Sequence, residues 1–96
     1  MTGFVGNIEE KTLANSFFRQ VLFTGKHSQL VLMSLKPGEE IGMETHPNVD
    51  QFFRFEQGEG KVIINGEKSV VSNGTAVVVP AGAKHNIINT STTEEL

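Results

Sequence analysis

Residues 74–89, GTAVVVPAGAKHNIIN, decide the fold of this chain, because turn residues and a metal-capable side chain stand there at fixed spacing. Five residues separate Gly74 from Pro80, two separate Gly82 from His85, and three separate His85 from Asn89. The apolar run before the Pro-Ala-Gly turn is typical of a strand, and a second short strand follows the turn. We therefore expect Pro80 and Gly82 to shape a turn that delivers His85 to the protein interior.

A second frame of the same kind lies upstream, in residues 38–58, GEEIGMETHPNVDQFFRFEQG. Alternate residues of a strand face the same side. Glu44 and His46 are therefore predicted to project together, with Thr45 pointing away. The same rule predicts that His85, Ile87 and Asn89 share one face.

Two registers compete on the strand that follows His46. One points Gln51, Phe53 and Phe55 inward, and the other points Asp50, Phe52 and Arg54 inward. Burying an unpaired Arg is costly, whereas each buried Phe contributes about 1.5–3 kcal/mol. We choose the first register, which aligns Gln51 with Glu44 and leaves Asp50 as a solvated carboxylate.

The bulk composition narrows the choice of function. The chain has 96 residues and no Cys, so one domain over residues 1–96 is expected, and any metal must take nitrogen and oxygen ligands. A net charge of -3 offers no basic stripe for nucleic acid, and no apolar run approaches a membrane span. We expect a soluble, cytoplasmic protein without nucleic-acid or membrane partners.

The rest of the chain consists of short apolar stretches separated by turns, which indicates an all-β sandwich or barrel. Asn65-Gly66 predicts a two-residue hairpin turn, because both of its positions need positive φ. Residues 8–22 are ambiguous. Their apolar spacing would suit an amphipathic helix, but the aromatic and β-branched content of residues 17–23 favours a strand there, after a short helical turn.

Here the sequence resembles a known family. The frame in residues 74–89 matches the second cupin motif, Gly-x5-Pro-x-Gly-x2-His-x3-Asn, at every fixed position. The frame in residues 38–58 keeps the spacing of the first cupin motif, but Glu44 stands where a His is usual and Gln51 where a Glu is usual. The chain looks most like small single-domain bacterial cupins of the conserved-barrel type with a Glu-x-His-x3-Asp-Gln variant of that motif.

The resemblance implies a double-stranded β-helix, or jelly-roll, barrel that holds one divalent metal ion. Carried over by position, the implied ligands are Glu44, His46, Gln51 and His85. Two imidazoles and a carboxylate suit Mn, Fe, Ni or Zn and leave positions open for water or substrate. Around them we place the pocket residues Phe53, Phe55, Ile87 and Asn89. The alternative is that both histidines only cap turns.

Three functions compete on this basis. The first is a metal-dependent enzyme of the dioxygenase, decarboxylase or sugar-phosphate isomerase type, acting on a small polar molecule such as a sugar or an organic acid. The second is a non-catalytic module that binds such a ligand, and the third is a structural role with a weak or absent metal site. Fold analogy does not choose among them, and no catalytic residue is assigned.

The C-terminal end of the chain raises a question of assembly. Relatives of this type generally continue into a further strand, so the last barrel strand is expected to be missing, truncated or supplied by a partner. An open strand edge invites pairing. We therefore expect a homodimer, with Phe52 facing outward as a candidate interface residue.

Overall fold

The computed structural model describes residues 3–96 of the chain. It contains one α-helix and eight β-strands, and the chain divides into two compact units, one ending at Ser34 and the other comprising Leu35–Leu96. The elements are α1 (Ile8–Ala14), β1 (Arg19–Thr24), β2 (Gln29–Met33), β3 (Glu44–Thr45), β4 (Gln51–Arg54), β5 (Glu59–Ile64), β6 (Glu67–Ser72), β7 (Ala76–Val79) and β8 (Lys84–Asn89).

The first unit combines the helix α1 with the antiparallel pair β1–β2. The side chain of Asn7 caps α1 by accepting a hydrogen bond from the backbone N–H of Glu10 at 2.9 Å. The helix ends at Ala14 and does not extend to residue 22, so the strand expected over residues 17–23 is confirmed as β1. Among residues 3–96, no helix has the length and apolar character that crossing a membrane requires.

The second unit is built from two sheets. One has four strands in the order β3-β8-β5-β6, and the other is the antiparallel pair β4–β7. The predicted hairpin joins β5 to β6, with φ of 49° at Asn65 and 84° at Gly66. The hairpin turn with positive φ at both central residues, which Asn-Gly favours, is therefore present. It brings the inward-facing residues of β5 and β6 opposite each other.

The core of the second unit confirms the register chosen for β4. Phe55 is buried, Gln51 and Phe53 are partly buried, and Phe52 and Arg54 are exposed, so the alternation follows the sequence argument. The buried cluster on the inward side consists of Leu35, Phe55, Val62, Val71 and Ile87. The partly buried apolar residues that pack against it are Ile41, Phe53, Ile64, Val77 and Leu96.

Asn89 anchors the segment that follows β8. Its side chain is 1% exposed, and Nδ2 donates to the backbone carbonyls of Leu35 at 2.9 Å and Glu94 at 2.8 Å. Its Oδ1 accepts from the N–H of Ser91 at 2.9 Å. Leu96 and Leu35 exchange two backbone hydrogen bonds, of 2.9 and 3.0 Å. Every hydrogen-bonding group of the Asn89 amide is thus used to hold the chain after β8 against the core.

Candidate metal centre

The β3–β8 pairing brings the two sequence frames together. Glu44 and His85 are Cα partners in that ladder, and His46 lies two residues beyond Glu44. One donor atom from each of these three residues lies within 4.8 Å of the other two. His46 Nε2 is 3.3 Å from Glu44 Oε2, and the His46 and His85 rings are 5.8 Å apart between centroids. The structure therefore gathers three of the four residues that the family resemblance implied as ligands.

A contact with a backbone carbonyl favours one tautomer of the buried His85 ring. Its ring is 1% exposed, and Nδ1 lies 3.2 Å from the backbone carbonyl oxygen of Ala83. A carbonyl oxygen only accepts hydrogen bonds, so Nδ1 must carry the proton and, in the neutral ring, Nε2 carries the lone pair. Metal-binding histidines commonly show this arrangement, in which the second ring nitrogen donates to a carbonyl and orients the ring.

Two buried polar atoms of the implied ligands have no hydrogen-bond partner in residues 3–96. They are His85 Nε2 and Gln51 Oε1. A buried polar atom without a partner costs about 1–3 kcal/mol, so each one calls for an explanation. Both atoms carry lone pairs, and both belong to the implied ligand set. A divalent cation would satisfy the lone pair of His85 Nε2, and His85 is grouped with the donor atoms of Glu44 and His46, so the residues present fit such an ion.

The exposure of the ligand candidates is uneven. The side chains of His46 and Glu44 are 42% and 44% exposed, whereas His85 is buried. Two ligands of one metal ion lie at most about 4.2 Å apart when each bond is about 2.1 Å. Glu44 Oε2 and His46 Nε2 already meet this limit at 3.3 Å, and the donor atoms of all three residues lie within 4.8 Å of one another. The group therefore needs to contract by less than about 1 Å to hold an ion, which the exposed side chains of Glu44 and His46 achieve by rotation. An ion held there would face solvent on the Glu44 and His46 side.

Two hydrogen bonds tie the turn before β8 to the segment after β3. The N–H of Gly82 donates to the carbonyl of His46 at 2.8 Å, and the N–H of Ala81 donates to Asp50 Oδ1 at 2.8 Å. Gly82 has φ of 84°, a conformation that favours glycine. Asp50 is exposed as expected, but the sequence argument missed its structural use. These bonds set the distance between the two histidine-bearing segments.

Asn86 lies on the opposite face of β8 from His85 and also has a structural role that was not predicted. It is 5% exposed, its Nδ2 donates to Glu40 Oε1 at 3.1 Å, and its Oδ1 accepts from the N–H of Gly42 at 2.9 Å. Asn86 thereby fixes the segment that leads into β3 and carries Glu44. No motif position marks it, because its partners lie more than forty residues earlier in the chain.

Apolar side chains surround the donor atoms within the second unit. Ile64 is the Cα partner of His85 on β5, on the side opposite to Glu44. The Phe53 ring lies 6.2 Å from the His85 ring, and Val79 is the direct partner of Gln51 on β7. Directly paired residues project to the same face of a sheet. The site therefore combines a few polar donors with an apolar wall.

The four predicted pocket residues occupy different places. Phe53 adjoins His85, Phe55 and Ile87 belong to the buried core cluster, and the Asn89 amide is bonded to the segment after β8. Their role in contacting a ligand remains a prediction.

These features define an all-β protein whose inward strand face gathers nitrogen and oxygen donors suited to a divalent ion. Residues 31–96 match the family model described as a cupin domain. The chain therefore belongs to the cupin family, and its fold is the all-β cupin fold.

Several known proteins resemble the chain over most of its length. The uncharacterized protein YrkC of Bacillus subtilis (strain 168) is 51% identical over 94% of this chain and 52% of that protein. The uncharacterized protein L612 of Acanthamoeba polyphaga mimivirus is 45% identical over 97% of this chain and 60% of that protein. The crystal structure of BH2720 from Bacillus halodurans has a TM-score of 0.91 and 43% identity, and the match covers 94% of this chain and 73% of that one. The chain thus spans little more than half the length of the two relatives YrkC and L612.

Proposed function

We propose that the chain is a metal-dependent cupin that holds one divalent ion through Glu44, His46, Gln51 and His85, and that this ion binds a small polar molecule such as a sugar or an organic acid. The observation that carries the proposal is the buried, unpartnered Nε2 of His85, facing a carboxylate and a second imidazole. The ion is expected to be Mn, Fe, Ni or Zn, since imidazole and carboxylate donors suit these metals.

When bound, a divalent ion would supply Lewis acidity to a carbonyl or hydroxyl oxygen of the ligand. The residues of the chain have separate tasks around it. The Ala83 carbonyl keeps the lone pair of His85 on Nε2, and the hydrogen bonds of Ala81 and Gly82 hold the His46 segment in place. The half-exposed side chains of Glu44 and His46 leave an approach open to a ligand from solvent.

A non-catalytic binding module is the second candidate, and one observation favours it. The group of possible ligands found within residues 3–96 contains a single carboxylate, that of Glu44. If Glu44 binds the ion, it is not free to act as a general base. The neutral amide of Gln51 is also a weaker donor than a second carboxylate. A dioxygenase, decarboxylase or isomerase activity would then need a proton acceptor brought by the ligand or by water.

Cobalt binding tests the proposed site, because Co²⁺ reports its ligands by visible absorption. In equilibrium dialysis the wild-type chain is expected to bind one equivalent. His46→Ala is expected to bind at least about 100-fold more weakly, since it removes a direct ligand and not only an outer-shell partner. His27→Ala is the matched control, because His27 lies in the first unit and is exposed.

Equal cobalt binding by wild type, His46→Ala and His27→Ala would refute the proposed ligand set. A panel of sugars and organic acids, followed by oxygen uptake and product analysis, then separates an enzyme from a binding module.

We also propose that residues 1–96 act as one domain and that the protein forms a homodimer. Phe52 and Val78 are cross-strand partners on the outer face of β4–β7 and are 67% and 60% exposed, which supports an apolar interface there. The substitution Phe52→Glu is expected to shift the equilibrium towards the monomer, as measured by sedimentation. A wild-type chain that sediments as a monomer at all concentrations would contradict the dimer. A cytoplasmic location stays a prediction.

A further inference from the structure

We infer that the metal centre selects a monoanionic chelating ligand with an apolar substituent, such as a short-chain 2-oxo or 2-hydroxy acid, over dicarboxylates and phosphate esters. This inference rests on the proposed metal site and names the substrate class of that site. It follows from where the charged side chains of Leu35–Leu96 lie.

The strand face that carries the ligand candidates has no basic side chain within Leu35–Leu96. Arg54 alternates with Gln51 and Phe53 on β4, is half exposed, and donates from Nε to Glu56 Oε1 at 3.0 Å. Strand alternation likewise turns the lysines of β5, β6 and β8 away from the face of Val62, Val71 and His85. Lys36 is exposed and lies in the segment before β3. The five basic residues of this unit are Lys36, Arg54, Lys61, Lys68 and Lys84.

The charge balance at the site then limits the ligand. A divalent ion with one carboxylate, two neutral imidazoles and a neutral amide carries one net positive charge. On the buried side of the site, where His85 lies, desolvation penalises any charge left without a partner. A ligand with one negative charge makes the site neutral, whereas a second carboxylate or a phosphate dianion would have no cation of this unit to pair with. A neutral sugar would leave the positive charge of the site uncompensated.

The wall beside the donors indicates what the rest of the ligand looks like. Ile64 adjoins His85 from β5, the Phe53 ring lies 6.2 Å from the His85 ring, and Val79 stands beside Gln51. An alkyl substituent next to these side chains removes apolar surface from water, which is favourable. A charged or strongly hydrated substituent in the same place would lose hydration without gaining a hydrogen bond.

Two five-carbon acids form a matched pair for the test. 2-Oxopentanoate and 2-oxoglutarate share the same chelating end and differ only in a terminal methyl or carboxylate group. Each is titrated into the cobalt-loaded full chain, with visible absorption and calorimetry as readouts. We expect 2-oxopentanoate to bind at least about tenfold more tightly than 2-oxoglutarate, equivalent to about 1.4 kcal/mol. Inorganic phosphate is expected to bind more weakly still.

A pair of variants tests the physical cause. Ile64→Arg introduces a cation on the face beside His85 and is expected to reduce or invert the preference for the monoanion. Val70→Arg is the control, because Val70 alternates with the buried Val71 on β6, faces the other side of the sheet and is 81% exposed. If Ile64→Arg does not fold, the two acids compared on the wild type still decide the matter.

The outcomes separate this inference from the proposed metal site. A chain that binds no cobalt refutes the metal site itself. A chain that binds cobalt but takes 2-oxoglutarate as tightly as 2-oxopentanoate, or binds neither acid, overturns the inference about ligand charge and leaves the metal site standing.

Discussion

Phe55→Ala is expected to lower the free energy of unfolding by about 3–5 kcal/mol, whereas Phe52→Ala should change it by less than about 0.5 kcal/mol. Phe55 is 8% exposed within the core cluster, and Phe52 is 67% exposed three residues earlier. Truncating the buried ring removes its transfer free energy and leaves a cavity among Leu35, Val62 and Ile87. The exposed ring has neither contribution to lose.

Denaturant unfolding of both variants measures this difference. Phe52→Ala and Phe55→Ala should be compared at several protein concentrations. If Phe52 lies in an interface, the effect of Phe52→Ala on stability would depend on concentration. Equal losses of stability at low concentration would show that the inward register of β4 is wrong. That result would also remove the argument that places Gln51 on the ligand face, because the same alternation positions both residues.

His85→Leu is expected to abolish the stabilisation by metal without destabilising the metal-free protein. At a metal concentration of 100 times the dissociation constant, the wild type should gain about 2.7 kcal/mol in free energy of unfolding, because the ion binds only the folded state. The variant should gain nothing. In the absence of metal, Leu removes the unpartnered Nε2 atom and keeps an apolar side chain in the buried position. Removal of the unpartnered Nε2 offsets the loss of the Nδ1 bond to the Ala83 carbonyl, so the free energy of unfolding should lie within about 1 kcal/mol of the wild-type value.

The metal-free result distinguishes a ligand from an ordinary core histidine. A histidine held only for packing and for its bond to the Ala83 carbonyl would make His85→Leu less stable with and without metal. His27→Leu serves as the control and should respond to metal as the wild type does, since His27 is exposed in the other unit. A metal response that survives in His85→Leu would contradict the site.

Several features of the second unit were predictable because they depend on local rules. The Asn65-Gly66 hairpin follows from the positive φ that both positions need, and the structure shows it. The inward register of β4 follows from the cost of burying Arg54 against the gain from burying Phe55. The convergence of Glu44 and His46 follows from the two-residue period of a strand. Each argument needs only a few neighbouring residues.

Other features had no local signal. Glu56 is 7% exposed and has a buried oxygen atom without a partner, and no sequence pattern marked it. Arg54 was expected to be only a surface charge, yet it is the partner of that carboxylate. The helical spacing over residues 8–22 is followed only as far as Ala14, and the segment from Arg19 to Thr24 pairs with β2, as its aromatic and β-branched content predicted. The burial of Glu56 depends on the packing of the second unit, which the neighbouring residues do not record.

The sequence by itself determined the family, the short-strand architecture, and which faces of the strands carry metal-capable side chains, since periodicity and turn chemistry are properties of consecutive residues. Only the tertiary structure decided that β8 lies between β3 and β5, with Glu44 on one side of His85 and Ile64 on the other. It also decided that the Ala83 carbonyl orients the His85 ring and that Asn86 holds the segment before Glu44. These partners are chosen by strand pairing over long separations, where no pattern in the sequence records which backbone group will be near.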